Sequence, residues 1–310
     1  MQKKKNINEL INNYIYKMFC CISHNIQVTD EEEAKEKEIQ RRSFKIKKEL
    51  LRTRKNNHLG QGISSNVFKI KLDGNYVSCK VIKEGWEKEA KKEIKILKNV
   101  LELNNNKLPK FICCFKLSLK DTICYDFIEG HDLFEYLYRL TEFHNNEMLI
   151  METVLQILDG LQSLLILNLV HLDVKPENII VQSINPIKIT IIDLSFCRNY
   201  EYGKTTALLG TIGYVSPEML FHKKIYHNTD IWSIGIIIFL LYTNKFMFNI
   251  EDNVYKLNIS EENITKEIIN LNLYNVPKKM KEIIEKCLVY KTNYRISVVG
   301  LIKLINKLYP

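Results

Sequence analysis

The chain has no uninterrupted apolar run long enough to cross a membrane as a helix. Its longest, Ile231 to Tyr242 in "IWSIGIIIFLLY", falls short of the roughly 20 residues a span requires, and Asp230 adjoins it. That run therefore reads as a helix buried on all sides, and no transmembrane segment is expected. The eight cysteines include the pairs Cys20-Cys21 and Cys113-Cys114, but no Cys-x-x-Cys spacing with a nearby His, so a zinc set is excluded. No secretory signal is visible, so reduced thiols in a cytoplasmic setting are expected, most of them packed as small hydrophobes. Gln2, not Gly, follows Met1, which excludes a myristoylation signal. Cys20 and Cys21, behind Met18-Phe19 and a basic start, leave palmitoylation as a route to membrane association. The chain also lacks a dense Arg/Lys stripe interleaved with aromatics. Its net charge of +9, from 45 basic and 36 acidic residues, is spread out and reads as solubility, so no nucleic-acid partner is expected. Internal repeats are absent too.

What is present is ordinary soluble-protein composition, 46% hydrophobic and 26% charged over 310 residues, enough for one large domain or two lobes. Nothing in it sets the oligomeric state. Residues 1–45 read as a charged extension that passes from an acidic block to a basic one. Opposite charges at helical spacing predict a solvated helix from about Asp30 to Arg42, with an autoinhibitory or docking segment as the functional alternative. Residues 46–128 are mostly strand-like. "NVFKIKL" and "YVSCKVI" flank the turn "DGN" as a hairpin, and "KFICCFKL" and "TICYDFI" follow. One helix interrupts them, with Ala90, Ile94, Leu97 and Leu101 along its apolar stripe. Residues 129–310 turn helical, with "MLIMETVLQILDGLQSLLIL" a long periodic segment.

Four stretches carry chemistry. In "LGQGISSNVFKI", Gly60 and Gly62 let backbone approach a ligand closely, and such a loop can aim N–H groups at phosphates, although a tight hairpin alone would look the same. The strand that follows argues against a dinucleotide fingerprint, which needs a helix directly after the glycines. In "VSCKVI", Lys80 reads either as part of a solvated strand face or as a buried ammonium that needs Glu93 as its anionic partner. "HLDVKPENII" combines Asp173, Lys175 and Asn178, suited respectively to accepting a hydroxyl proton, offsetting phosphoryl charge and ligating a hard cation. Asp193 emerges from the β-rich run Ile187 to Ile192 as a second oxygen ligand.

In order and spacing these stretches resemble the eukaryotic protein kinase family, serine/threonine type, from about Ile46 to Pro310. The resemblance implies an α+β bilobal fold, with a small β-rich lobe holding one key helix and a larger, mainly helical lobe. It implies Mg-ATP as cofactor, with Mn2+ the alternative metal, and Ser/Thr hydroxyls of protein substrates as acceptors. Residue by residue, Gly60, Gln61, Gly62 and Val67 fall in the Gly-rich loop. Lys80 and Glu93 match the strand Lys and helix Glu, and Asp173, Lys175 and Asn178 match the catalytic loop. Asp193 matches the metal-binding Asp of D-F-G. "YDFIEGHDLFEYL" resembles the hinge, with Tyr125 as gatekeeper, Asp126 and Ile128 offering backbone to adenine and Asp132 reaching the ribose. "GTIGYVSPEML" resembles the end of the activation segment, and Arg295 the late Arg that pairs with Glu218. Lys175 and Thr211 point to the serine/threonine branch, and Glu177 with Asp132 to basic substrates.

The pattern departs in several places. Ser65 stands at the third loop glycine, Ser216 at the Ala of A-P-E, and Leu194-Ser195 at the last two positions of D-F-G. Leu172 replaces the Arg before the catalytic Asp, the residue that in relatives pairs with phosphate on the activation loop. Loop phosphorylation at Thr205 or Thr206 is therefore not expected to be the main switch. A nucleotide-binding pseudokinase scaffold is the alternative reading. Small-molecule kinases share H-x-D-x-x-x-x-N but lack the G-T-x-x-Y and D-x-W-S-x-G stretches.

Overall fold

The computed structural model describes residues 30–53, 57–140, 142–248 and 259–310. Cys20 and Cys21 lie outside them.

Alternating apolar residues build a five-stranded antiparallel sheet from β1 (His58–Gln61), β2 (Ser65–Leu72), β3 (Asn75–Ile82), β4 (Phe111–Leu117) and β5 (Lys120–Asp126). Its spatial order is β1-β2-β3-β5-β4, a run of hairpins with one inserted helix. Two helices cover opposite faces. On the outer face lies α1 (Asp30–Thr53), and on the inner face α2 (Glu87–Leu103).

Two expectations need correction here. Opposite charges predicted a helix ending near Arg42 and strand-like structure from residue 46; instead α1 runs unbroken to Thr53 and the first strand starts at His58. The reason is apolar. Ile46 and Leu50, one helical turn apart, are fully buried against Ile70, Val77 and Cys113 of the sheet. Burying two such side chains contributes roughly 3–6 kcal/mol at most. The residues from Ala34 to Arg42 are exposed, so the solvated part of the helix lies where charge placed it. In α2 the buried stripe is Ala90, Glu93, Ile96, Leu97 and Val100, while Leu101 is 45% exposed. A buried carboxylate at Glu93 rotates the face that apolar residues alone would choose.

Residues after Phe127 form the larger, helical lobe. Its centre is α3 (Glu147–Ile166) and the wholly buried α5 (Thr229–Thr243), with α4 (Pro217–His222), α6 (Glu261–Asn270), α7 (Lys278–Cys287) and α8 (Val298–Leu308) around them. By length and composition α3 could cross a membrane, but 61% of its apolar window is buried against other parts of the fold. It is a core helix. Between α3 and α4 the chain lays down β7 (Leu169–Val170), then β8 (Ile179–Ile184) and β9 (Ile187–Ile191) as a hairpin. β6 (His131–Asp132) pairs with β8, and β10 (Arg198–Asn199) with β7. These short ladders place the loops after β7 and after β9 side by side, under the inner face of the five-stranded sheet.

Candidate active site

β3 and α2 bring Lys80 to Glu93 as the sequence predicted, with Nζ 2.8 and 3.0 Å from the two carboxylate oxygens. The same Nζ lies 2.7 Å from Asp193 Oδ1, so one ammonium joins the small lobe to the loop after β9. Lys80 and Glu93 are almost completely buried, and the solvated-face reading of Lys80 is set aside. Burial works against the Lys80 charge, but Asp193 and Glu93 outweigh it and hold the ammonium above the usual lysine range. Burial likewise opposes the Asp193 charge, yet Lys80 and the Ser195 amide keep its carboxyl well below the usual range. For Glu93 burial wins over Lys80, and its carboxyl is raised. The Tyr125 hydroxyl, at the back of this cluster, is pushed up by burial.

Asp193 itself adopts the left-handed region, φ 62°, and its Oδ1 accepts the Ser195 N–H at 3.3 Å. Ser195, in place of a Gly that would ease positive φ, lies within the 3-10 turn Leu194–Phe196, and the positive φ falls on Asp193 instead. Leu194 packs into the main apolar core, 1% exposed.

The loop after β7 is held mainly through backbone. Asp230, in the first turn of α5, accepts the N–H of His171 at 2.7 Å and of Leu172 at 2.8 Å. Leu172 takes φ 68°, a conformation that costs a side-chain-bearing residue about 1–2 kcal/mol, and those two bonds fix it. His171 Nδ1 accepts from the Asp173 N–H and its Nε2 donates to Ile192 O, which joins this loop to the one carrying Asp193. Asn178 donates through Nδ2 to the Asp173 carbonyl at 2.8 Å and to its carboxylate at 3.0 Å. The Thr211 hydroxyl donates to Asp173 Oδ1 at 2.6 Å and accepts from Lys175 Nζ at 2.7 Å, while Lys175 Nζ lies 3.2 Å from Asp173 Oδ2. Asp173, Lys175, Asn178 and Thr211 thus form one connected group. At the far end of the activation segment Arg295 grips Glu218 at 2.7 and 2.8 Å, the pair that the family resemblance implies.

Gly60 and Gln61 sit on β1 opposite Val67 and Asn66 of β2. A Cβ built at Gly60 would meet nothing within 4 Å, and at Gly62 only the Ser65 carbonyl at 3.8 Å. Neither packing nor a positive φ demands glycine at these two positions. The space is open on the protein side, which fits a loop that must admit phosphate. Asp126 ends β5 and is exposed, and half-buried Ile128 follows in the extended link to the helical lobe. Asp132 caps the short helical turn Leu133–Glu135, taking the Glu135 N–H at 2.8 Å.

For a metal, Asn178 and Asp193 offer amide and carboxylate oxygens. Asn178 Nδ2 is committed to Asp173, which directs its Oδ1 to the other side, and the Asp193 side chain is 38% exposed. Mg2+ takes one or two such ligands plus phosphate oxygens and waters, so the donor set fits.

Sequence reasoning missed two members of this site. Asp230 was noticed only as a charge beside an apolar run, although a carboxylate in the first turn of a wholly buried helix implies buried donors. Thr211 was read as a marker of substrate type, whereas its hydroxyl bridges Asp173 and Lys175 across 38 and 36 residues of chain.

A two-lobed molecule with an ammonium clamped between two carboxylates and an Asp–Lys–Asn loop facing it defines a phosphotransfer class of fold. Residues 53–305 match the protein kinase domain, and the chain belongs to that family. Among similar proteins, mouse myosin light chain kinase 2 (skeletal/cardiac muscle) is 30% identical over 60% of this chain and 30% of its own length. Calcium-dependent protein kinase 4 of Plasmodium falciparum is 30% identical over 71% of this chain and 41% of its own. Human myosin light chain kinase family member 4 is 27% identical over 77% and 62%. The chain thus spans less than two thirds of the length of these relatives. Members of the family generally use ATP and Mg2+.

Proposed function

We propose that this chain is an ATP-dependent serine/threonine protein kinase. The observation that carries the reading is the continuous set of contacts from Glu93 through Lys80 to Asp193, facing the Asp173–Lys175–Asn178 loop across the cleft. Lys80, fixed by Glu93, would hold the α- and β-phosphates, beneath the Gly60–Val67 loop. Asp126 and Ile128 would take the adenine on backbone and Asp132 the ribose. Asn178 and Asp193 would hold Mg2+, with Mn2+ the alternative, and the ion would neutralise charge on the phosphates. Asp173 would accept the proton of a Ser or Thr hydroxyl, and Lys175 would offset charge on the transferring group. Most of the rate gain in such a site comes from positioning and preorganised charge.

Two further readings rest on weaker support. Glu177 lies near Asp132 and Asp173, and burial with those neighbours outweighs Lys175 to raise its carboxyl, so an incoming cation would be welcome there. This favours basic protein substrates. Reduced thiols favour a cytoplasmic setting.

A peptide-array phosphorylation profile with Mg-ATP, run beside Asp173→Asn, tests catalysis and substrate choice together. Transfer by the wild-type protein that falls by about 100-fold or more in the variant supports the reading. Equal, background-level signal from both, with Mg2+ or Mn2+, would instead establish the pseudokinase scaffold.

A further inference from the structure

Three cysteines stand in register across the small lobe's sheet. Cys79 on β3 pairs with Cys124 on β5, which pairs in turn with Cys113 on β4. Side chains alternate along a strand, so these thiols point away from the Lys80 face and lie beneath α1 with Ile46 and Leu50. All three are fully buried, and Cys124 Sγ lies 3.4 Å from Cys79 Sγ. Buried free thiols ordinarily act as small hydrophobes, as Cys287 does in the helical lobe. The triplet differs because its members touch one another and because α1 places polar groups over one end of it. A hydrogen bond from Cys124, then Ser43 and the Arg42 guanidinium of α1, bring the Cys113 thiol down to about 7 against the opposing effect of burial.

We propose that Cys79, Cys113 and Cys124 form a peroxide-responsive dithiol site, with α1 as its cover and a Cys79–Cys124 disulfide as its stable oxidised state. The oxidant is hydrogen peroxide. The Cys113 thiolate attacks the O–O bond and takes one oxygen, giving a sulfenic acid, while the other oxygen leaves with a proton as water. The Cys124 thiol displaces hydroxide from that sulfur, which departs as a second water and leaves a Cys113–Cys124 disulfide. Cys79, whose Sγ lies against Cys124 Sγ, then attacks that sulfur, and Cys113 leaves as a thiolate held down by its polar neighbours. The sum is two thiols and one peroxide converted to one disulfide and two waters, with Cys113 returned reduced. Directly opposed residues on antiparallel strands hold their Cβ atoms about 4.5–5.5 Å apart, and a disulfide needs about 3.5–4.5 Å, so the closing movement is small.

Access comes from α1. Its buried anchors are Ile46 and Leu50, whereas Phe44 and Leu51 on the same helix are largely exposed. Among its described residues the helix is anchored by these two buried side chains, so it can open locally without unfolding the sheet beneath it. The site carries no assumption about catalysis, so it stands or falls apart from the kinase reading.

The test treats the full-length, folded protein with hydrogen peroxide at pH 7, counts free thiols and maps disulfides by mass spectrometry. The expected result is loss of two thiols per chain, an intrachain Cys79–Cys124 link, and recovery with a dithiol reductant. Cys113→Ala should slow the link about tenfold, because an ordinary thiol is only a few per cent ionised at this pH. Ile46→Ala with Leu50→Ala should speed it by unseating α1. Oxidation confined to half-buried Cys114, links only between chains, or a rate unchanged in both variants would overturn the proposal. The wild-type disulfide map decides the matter even if a cysteine variant fails to fold.

Discussion

Asp230 holds Leu172 by its backbone: Oδ1 accepts the Leu172 N–H at 2.8 Å while Oδ2 takes that of His171 at 2.7 Å. The position before Asp173 therefore needs no charged side chain to keep its left-handed conformation. Gly210 completes the arrangement. At φ +102° its missing Cβ would lie 2.7 Å from the Leu172 carbonyl, so only glycine lets the activation segment pass this close to the loop. We expect Asp230→Ala to orphan two buried amides at about 1–3 kcal/mol each. Thermal denaturation should show a lower Tm together with lost activity. A variant with normal Tm and normal turnover would show that the loop holds its shape without Asp230.

The side chain of Leu172 is buried, 6% exposed, and cannot form an ion pair with a phosphate. Thr206 is exposed and the Thr205 hydroxyl is engaged with the Ala207 and Lys223 carbonyls. Thr205→Ala with Thr206→Ala is expected to retain phosphotransfer within about threefold, the scale of one lost weak hydrogen bond. Near-complete loss, restored by acidic replacements in a kinase assay, would show that loop phosphate controls the enzyme after all.

Lys80 sets a pH dependence with a definite sign. Its own shift is upward, so its contribution is complete below the unfolded lysine value of about 10.4 and fades only above it. The Asp193 shift is downward, so its contribution is present above the unfolded value of about 3.9 and fades only in stronger acid. Lys80→Met removes the cation between them and leaves Glu93 and Asp193 without it. Their carboxyls then rise, and the variant loses stability as pH climbs from the unfolded carboxylate range up through those raised values. Chemical denaturation should reveal a larger deficit at pH 8 than at pH 5. Equal deficits at both would contradict the proposed coupling.

Thr211 supplies a test of positioning. Its hydroxyl is the shared partner of Asp173 and Lys175. Thr211→Ser keeps that hydroxyl and should keep kcat, while Thr211→Val should lower kcat by about tenfold, the worth of a hydrogen bond to charged groups. KM for ATP should change little in either variant, measured by steady-state peptide phosphorylation.

Arg295 is fully buried, donates to both oxygens of Glu218, and also bonds the Val289 carbonyl. Removing one partner strands the other charge, so Arg295→Met should cost about 3–5 kcal/mol. Adding Glu218→Leu should return part of that loss. A double-mutant cycle by urea denaturation measures the coupling, and strictly additive losses would contradict it.

Much of the site was legible because its residues occur as short local signals. Asp173, Lys175 and Asn178 lie within six consecutive residues, and glycines, a lone strand lysine and a strand-end carboxylate stand out against apolar surroundings. Lys80 with Glu93 was legible because a buried charge demands a partner. The extent of α1 was not, since the charge pattern of residues 30–42 is strong and the two apolar residues that continue it, Ile46 and Leu50, acquire meaning only against the sheet. The face of α2 was misjudged at Leu101 for a related reason: the stripe turns to bury Glu93, and hydropathy alone ranks leucine first.

The sequence by itself determined two lobes, the order of the chemical groups along the chain and the pairs that opposite charge requires, because periodicity and charge are local properties of a chain. Only the tertiary structure decided that Lys80 serves Asp193 as well as Glu93, that Asp230 holds Leu172, that Thr211 joins Asp173 to Lys175, and that three thiols meet beneath α1. Each of those depends on directional contacts of about 3 Å between segments tens of residues apart, and the separation along a sequence carries no direction.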